Sequence, residues 1–219
     1  YGSDWIDNPI FPMSCIEQSQ KETSDFFGSD YTMYLTSGTT CANQIAIFST
    51  INKGDRVLVD RTCHQSIHFA LSLIGANIDY SNVYNVDTSV VTNYEQFIFK
   101  YKQAKHDNMP YKMVIFNASS YEGRCVNSLK IINDCLQINE KVTFLVDEAW
   151  IAFAAFSKET IHMSLLANLD KIKYQRKSLQ IIVNQSAHKS LRSLRQGSYL
   201  HIVGDNRFIN KIKETKYKF

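Results

Sequence analysis

Short apolar runs rich in β-branched residues alternate with helix-like segments along the chain, and this alternation constrains the fold more than any other feature of the sequence. Strands that are apolar throughout are buried on both faces, which is typical of a mainly parallel sheet with helices on each side. The pattern therefore predicts one α/β domain. The predicted strands are residues 31–35, 56–60, 76–80, 112–116, 142–146, 179–183 and 199–203.

Between the strands, apolar residues recur at helical spacing. Thr92 followed by Glu95 forms a capping-box pattern, which predicts a helix start at this point. Two polar stretches, residues 85–93 and 171–177, are predicted to be long exposed connections. The predicted helices are residues 16–27, 41–51, 65–74, 94–104 and 160–169, with a further one that starts at Asn127 or Ser128 and ends near residue 138.

Charge and cysteine usage exclude several classes of function. A net charge of +3, from 24 basic and 21 acidic residues, is too balanced for a nucleic-acid partner. No apolar run approaches the roughly 18 residues of a membrane span, and no signal pattern opens the chain, so no membrane partner is expected. The five cysteines are widely spaced and form no CxxC pair, which argues against disulfides and against a metal site. We expect a reducing, cytoplasmic location.

Polar or aromatic residues follow directly after five of the predicted strands. In open α/β sheets, ligands bind beyond the carboxyl ends of the strands, so these residues should meet at one edge of the sheet. Their agreement across separate segments is the main indication of a site. The segments are residues 37–40, 62–64, 118–121, 147–150 and 186–189.

The first of these segments, Ser37-Gly38-Thr39-Thr40, leads into a predicted helix. A helix N-terminus offers free backbone N–H groups and a favourable dipole, and the adjacent hydroxyls add donors, so the segment suits a phosphate group. A capped helix start without any ligand is the alternative, because the P-loop pattern of nucleotide-binding proteins is absent.

Asp147 and His64 also stand where strands end. A carboxylate at the end of an apolar strand needs a cation or a hydrogen-bond donor, and a protonated pyridine nitrogen would serve. Asp147 could instead cap the next helix. His64 could lie flat against an aromatic cofactor ring, or it could cap the helix that follows it. Trp150 by itself is better explained by packing than by chemistry.

Lys189 follows a predicted strand and lies beside Ser186 and His188. A lysine forms a Schiff base only as the neutral amine, and partial desolvation or nearby cations lower its pKa. Ser186 and His188 would then flank a phosphate or position the amine. A surface lysine is the alternative for Lys189 taken alone. An acid, a phosphate cradle and a reactive amine are together what pyridoxal 5'-phosphate requires from a protein.

Six segments resemble, in their order along the chain, the motifs of the Orn/Lys/Arg decarboxylase major domain. The most specific are Asp-Glu-Ala-Trp at residues 147–150 and Ser-Ala-His-Lys at residues 186–189, and the resemblance covers essentially the whole chain. The segments are residues 36–43, 60–66, 120–123, 146–150, 185–189 and 196–198.

The resemblance implies a three-layer α/β/α fold with a mostly parallel seven-stranded sheet, the large domain of fold-type I pyridoxal phosphate enzymes. It implies Lys189 as the Schiff-base lysine, Asp147 as the partner of the pyridine nitrogen and His64 as the residue stacked on the ring. The other implied cofactor-binding residues are Ser37, Gly38, Thr39, Thr40, Ala149, Trp150, Ser186 and His188.

The reaction implied by the resemblance is decarboxylation of lysine, ornithine or arginine to an amine and CO₂, as in polyamine biosynthesis, by a homodimer or an assembly of dimers. Two alternatives stay open: another fold-type I activity, such as an aminotransferase or aldolase, and a cofactor-binding domain without turnover.

Three departures from the family pattern bear on activity. Ser119-Ser120-Tyr121 stands where the family usually has Pro-Thr-Tyr, and Gln65 replaces the usual lysine after the histidine. The chain also stops about thirty residues after Lys189. We therefore expect residues 1–219 to form a large domain that is incomplete at both ends, led by a helical segment at residues 1–30 and without the small C-terminal domain.

Overall fold

The fold is built around a seven-stranded sheet in which one strand runs opposite to the others. We analysed a computed structural model, which describes residues 7–86 and 89–218, so the first six residues of the predicted helical segment 1–30 lie outside the described residues. The strands of this sheet are β1 (Tyr31–Leu35), β2 (Arg56–Val59), β3 (Asn77–Tyr80), β6 (Met113–Asn117), β7 (Thr143–Asp147), β8 (Ile181–Gln185) and β9 (Ser198–Val203), and a separate hairpin consists of β4 (Val83–Val86) and β5 (Ser89–Thr92).

The spatial order of the sheet is β1-β9-β8-β7-β6-β2-β3. The pairs β2–β3, β2–β6, β6–β7 and β7–β8 are parallel, whereas β9 is antiparallel to both of its neighbours. The carboxyl ends of β2, β6, β7 and β8 consequently lie side by side at one edge. This topology confirms the predicted α/β class with a mostly parallel seven-stranded sheet.

Helices cover both faces of the sheet and produce two apolar cores. Along β7, Phe144 and Val146 enter one core and Leu145 enters the other, as the alternation of side chains along a strand requires. The helices are α1 (Cys15–Phe27), α2 (Gly38–Thr50), α3 (Gln65–Ile74), α4 (Tyr94–His106), α5 (Ser128–Ile138), the short α6 (Ala187–Ser190) and α7 (Asn206–Lys216). The first core also contains residues of α1, α4 and α5, and the second contains residues of α2, α3 and α7.

The predicted helix at residues 160–169 is wrong in type. The structure has two 3-10 segments there, Ile161–Met163 and Leu166–Lys171. The Asn168 side chain donates to the carbonyls of Ile161 and Ser164, each at 2.7 Å, and so competes with a regular helical ladder. The backbone N–H of Leu165 donates instead to Glu148 Oε1.

The stretch 85–93 is also not the predicted open connection, because most of it belongs to the antiparallel hairpin of β4 and β5. The predicted capping box at Thr92 is wrong by one residue. Asn93 caps α4 by accepting the N–H of Gln96, and the Thr92 hydroxyl donates to the carboxylate of Asp60. The hairpin is thereby tied to the end of β2.

No α-helix within residues 7–86 and 89–218 combines the length and the apolar character that crossing a membrane requires.

Candidate functional site

A cleft of about 300 Å³ lies at the carboxyl ends of β2, β6, β7 and β8. Five loops or helix starts converge there because the four parallel strands end at the same edge. The lining combines apolar, hydroxyl and ionisable side chains, which is the mixture typical of a small-molecule site. The lining residues are Thr39, Thr62, His64, Asn117, Ser119, Tyr121, Asp147, Ala149, Trp150 and Lys189.

Asp147 is the last residue of β7, and its side chain lies on the α2 side of the sheet at the base of the cleft. It is 7% exposed, and Oδ1 accepts the backbone N–H of Ala149 at 2.9 Å. Burial raises the pKa of the carboxyl group, while the Ala149 amide, the charge of Lys189 and the Asn43 side chain oppose that rise. Asp147 is therefore a buried acid that a further donor or cation would stabilise.

Lys189 belongs to the single turn of α6, directly after β8. Although the residue as a whole is exposed, its ammonium nitrogen lies 4.1 Å from the centroid of the Trp150 ring. Partial burial lowers the pKa of this ammonium, and the negative charge of Asp147 raises it. The amine thus faces an aromatic wall and a buried acid across the cleft.

Trp150 and Tyr121 form the aromatic rim of the cleft. Their rings meet edge to face, with centroids 5.2 Å apart and an interplanar angle of 82°. Trp150 is 38% exposed and Tyr121 is 78% exposed. Trp150 therefore contacts the site directly through Lys189, rather than packing in the interior.

His64 lines the cleft and also caps α3. Its Nδ1 accepts the backbone N–H of Ser66 at 3.2 Å and lies 2.9 Å from the Ser66 hydroxyl. This arrangement places the ring proton of a neutral His64 on Nε2. The structure therefore bears out the helix cap, one of the two alternatives that the sequence left open for this residue, and its contact with a cofactor ring stays a prediction.

A buried polar chain extends behind His64 on the α2 side of the sheet. Asn43 of α2 donates to the Ser66 hydroxyl at 3.0 Å, and Asn184 at the end of β8 donates to the Asn43 side-chain oxygen. Both asparagines are almost completely buried. The chain connects the orientation of His64 to the strand that leads to Lys189.

The N-terminus of α2 lies next to the β8–α6 junction. Gly38 adopts a φ of 72°, in the left-handed region that favours glycine, and the Thr39 hydroxyl lies 3.0 Å from that of Ser186. Ser37 precedes the helix but makes no side-chain capping bond. The first-turn amides of α2 can consequently donate to an anion, and the phosphate role that the sequence suggests for this segment stays a prediction.

The structure does not bring every predicted site residue to the cleft wall. Ser37 lines a separate cavity that also contacts Lys216 of α7, and Thr40 is exposed. His188 is half-buried, and its Nδ1 lies 3.0 Å from the carbonyl oxygen of Gly197. Ser186 is fully buried behind Thr39. Six of the predicted residues line the cleft: Thr39, His64, Asp147, Ala149, Trp150 and Lys189.

Asn43 and Asn117 were missed by sequence reasoning. Asn117 ends β6 and lines the cleft, and its side chain donates to the carbonyl of Thr62 at 2.8 Å. A polar residue at the end of an apolar strand was the signal for Asn117. For Asn43 the signal was a lone amide within the apolar run of α2.

The family model of the Orn/Lys/Arg decarboxylase major domain matches residues 6–217 of the chain. Protein YaaO of Bacillus subtilis is 29% identical over 97% of this chain and 41% of its own length. Lysine decarboxylase LdcA of Pseudomonas aeruginosa is 26% identical over 85% of this chain and 25% of its own length.

Among solved structures, the lysine decarboxylase LdcF of Francisella novicida aligns with a TM-score of 0.75 and 27% identity. It covers 91% of this chain, and the aligned part is 28% of LdcF. The chain thus spans less than half the length of each of these relatives.

Proposed function

The chain belongs to the Orn/Lys/Arg decarboxylase family, as a match to its major domain, and from this premise we propose that it forms the pyridoxal 5'-phosphate site of a decarboxylase acting on lysine, ornithine or arginine. The observation that carries the proposal is the convergence of Lys189, Asp147 and His64 on one cleft. An amine, a buried acid and a ring that can stack are the groups this cofactor chemistry requires.

The residues of the cleft fit the cofactor. Asp147 is a buried carboxylate that a further donor would stabilise, and the protonated pyridine nitrogen would be such a donor. The Thr39 hydroxyl lies in the first turn of α2, where a phosphate would be held by backbone amides as well, and the buried Ser186 hydroxyl, 3.0 Å away, would hold that of Thr39 in place. His64 would lie against the ring, with its orientation fixed by Ser66.

When bound, pyridoxal phosphate supplies the electron sink that lets the carboxylate leave as CO₂. Lys189 is the residue that would hold the cofactor covalently as a Schiff base. Because partial burial lowers the pKa of its ammonium, Lys189 reaches the reactive neutral amine more readily than an exposed lysine would. Asp147, as an anion, keeps a proton on the group that it faces.

The aromatic rim of the cleft is expected to shield the substrate. Tyr121 and Trp150 line the cleft and would exclude water from the side where the substrate enters.

The same rim is open to a partner. Both aromatic side chains are partly exposed, and Leu194, five residues after Lys189, is 89% exposed. We infer that a second copy of the protein covers this rim in a homodimer, which sedimentation analysis would test.

The test is covalent trapping. The protein is mixed with pyridoxal phosphate, reduced with borohydride and mapped by mass spectrometry of its peptides. The expected label is on Lys189, it is lost in Lys189→Arg, and it is kept in Lys177→Arg, a change at an exposed lysine. A label on another lysine, or none, would contradict the assignment.

A second measurement separates the reaction types. CO₂ and a diamine, or agmatine from arginine, are the products of decarboxylation, whereas a keto acid indicates transamination. In the trapping assay, Asp147→Asn is expected to lower the labelled fraction, because the acid that faces the pyridine nitrogen is lost.

A further inference from the structure

Glu148 is completely buried on the side of the sheet opposite Asp147. Successive residues of an extended chain point to opposite faces, so Asp147 faces α2 and the cleft while Glu148 faces the first core. Its Oε1 accepts the N–H of Leu165 at 2.7 Å, and its Oε2 accepts a side-chain N–H of Gln185 at 2.8 Å. Neither partner is a cation.

The hydrogen bonds continue from Gln185 across the sheet. Gln185 Oε1 lies 3.1 Å from Nε2 of His201 on β9, and His201 Nδ1 lies 2.8 Å from the hydroxyl of Thr32 on β1. The Thr32 hydroxyl lies 2.9 Å from that of Ser29. The four side chains Glu148, Gln185, His201 and Thr32 are each 0% exposed, and they come from four neighbouring strands or strand ends.

The chain of bonds has one consistent direction. Because an ionised Glu148 only accepts, Gln185 must turn its N–H toward Glu148 and its oxygen toward His201. His201 then donates through Nε2 and accepts the Thr32 hydroxyl at Nδ1, as a neutral ring. Burial lowers the pKa of His201 to about 3, which agrees with a neutral ring.

Glu148 joins the segments that carry the site residues. It stands between Asp147 and Ala149-Trp150, and its own N–H donates to the carbonyl of Asn184 at 2.9 Å. Its side-chain partner Gln185 lies four residues before Lys189. The N–H of Leu165 connects the same carboxylate to the 3-10 segment Leu166–Lys171.

A buried carboxylate that holds a turn lowers the stability of the folded protein, because its charge is removed from water. Burial raises the pKa of Glu148 to about 7, with the neighbouring charge of Asp147 adding to the rise. Well-packed apolar side chains fill such positions at lower cost in stability. The presence of an acid bound to both segments therefore points to a geometric role.

We propose that Glu148 is a positioning residue, which fixes the separation of Asp147 and Lys189 by fastening the turn after β7 to the end of β8. The proposal rests on the proposed function, since this separation matters when both residues serve one cofactor. Glu148 itself does not reach the cleft.

The test removes the hydrogen bond between the two partners. Gln185→Met keeps the volume of the side chain but has no N–H to donate to Glu148, so the turn after β7 loses its fastening to β8. Glu148→Gln is the conservative variant: Gln185 can turn over and neutral His201 can take the tautomer with its proton on Nδ1, so every donor and acceptor stays paired. Glu159→Gln, at an exposed acid, is the matched control.

Two measurements are made on each variant. The first is the pH titration of Lys189 in the cofactor-free protein, by labelling with a small amine-reactive reagent and peptide mapping. The second is the affinity for pyridoxal phosphate, from its absorption on binding. We expect Gln185→Met to shift the titration and to weaken the affinity roughly tenfold, the lower end of effects seen for groups that orient metal ligands. Glu148→Gln, which keeps the hydrogen bonds, should stay close to wild-type behaviour in both.

Wild-type behaviour of Gln185→Met, or a Glu148→Gln variant no better than Gln185→Met, would overturn the proposal. Glu148→Leu removes the same connection from the other side, so it replaces Gln185→Met if that variant does not fold. An unchanged Lys189 titration in Glu148→Leu would overturn the proposal equally. Failure of the wild type to bind pyridoxal phosphate would refute the proposed function, and the cofactor-free titration would still test Glu148.

Discussion

Replacing Trp150 by leucine should make Lys189 easier to deprotonate. The ammonium lies 4.1 Å from the centroid of the Trp150 ring, well within the range of a cation–π interaction. Both side chains are partly exposed, so the interaction is worth about 0.5–1 kcal/mol, the value for exposed sites. Leucine retains an apolar wall but has no ring, and the ammonium form alone loses this stabilisation.

The expected consequence is a roughly two- to fivefold fall in the ratio of ammonium to amine at a fixed pH, since every 1.4 kcal/mol is tenfold. The assay is competitive labelling of Lys189 in the cofactor-free protein at a series of pH values, with exposed Lys177 as an internal reference. The titration midpoint, rather than the rate at one pH, separates a change in protonation from a change in access to the reagent.

Trp150→Phe is the matched control, because phenylalanine keeps an aromatic face of weaker attraction. Its titration midpoint should fall between those of the wild type and Trp150→Leu. An unchanged midpoint in Trp150→Leu, or a shift toward higher pH, would refute the reasoning. It would mean that solvent reaching Lys189 outweighs the lost ring.

Three further predictions concern stability. Ile132→Ala on α5, at a fully buried site, should lower the free energy of unfolding in urea by about 2–5 kcal/mol. Asn93→Ala should cost about 1 kcal/mol in the same assay, because the cap of α4 is lost. His201→Gln should flatten the acid limb of the pH–stability curve. The pKa of His201 is about 3 in the folded protein and near 6.5 in the unfolded chain, so below pH 6.5 only the unfolded chain binds a proton at this residue. The free energy of unfolding of the wild type should therefore fall by about 2 kcal/mol between pH 6.5 and 5, and that of the variant should not show this fall.

Most of the sheet could be predicted from the sequence because its strands are buried on both faces and read as continuous apolar runs. The predicted strand at 179–183 is displaced by two residues from β8, since Asn184 and Gln185 are polar yet completely buried. Their burial depends on partners that are distant in sequence, namely Asn43 and Glu148. A local pattern does not contain such partners, so it ended the strand too early.

The same limit explains where the sequence failed at residues 160–169. Their apolar spacing suits a helix, but the N–H of Leu165 donates to Glu148, seventeen residues earlier. The local signal was outweighed by a tertiary hydrogen bond to a buried acid. Site residues that directly follow strands, such as Lys189 and Asp147, were found because strand ends are visible in sequence. Supporting residues inside elements, such as Asn43, were not.

The two consecutive acids at the end of β7, Asp147 and Glu148, lie on opposite faces of the sheet and have different roles. Asp147 faces the cleft, where a ligand can reach it, whereas Glu148 faces the core and has a hydrogen-bond partner on each oxygen. A buried polar group whose partners all belong to the protein holds its position, and one that lines a cleft can also bind a ligand. Because these acids are consecutive in sequence, any movement of one displaces the other. Glu148 therefore determines where Asp147 presents its charge to a ligand, which is why a fully buried acid outside the cleft is expected to influence the protonation of Lys189.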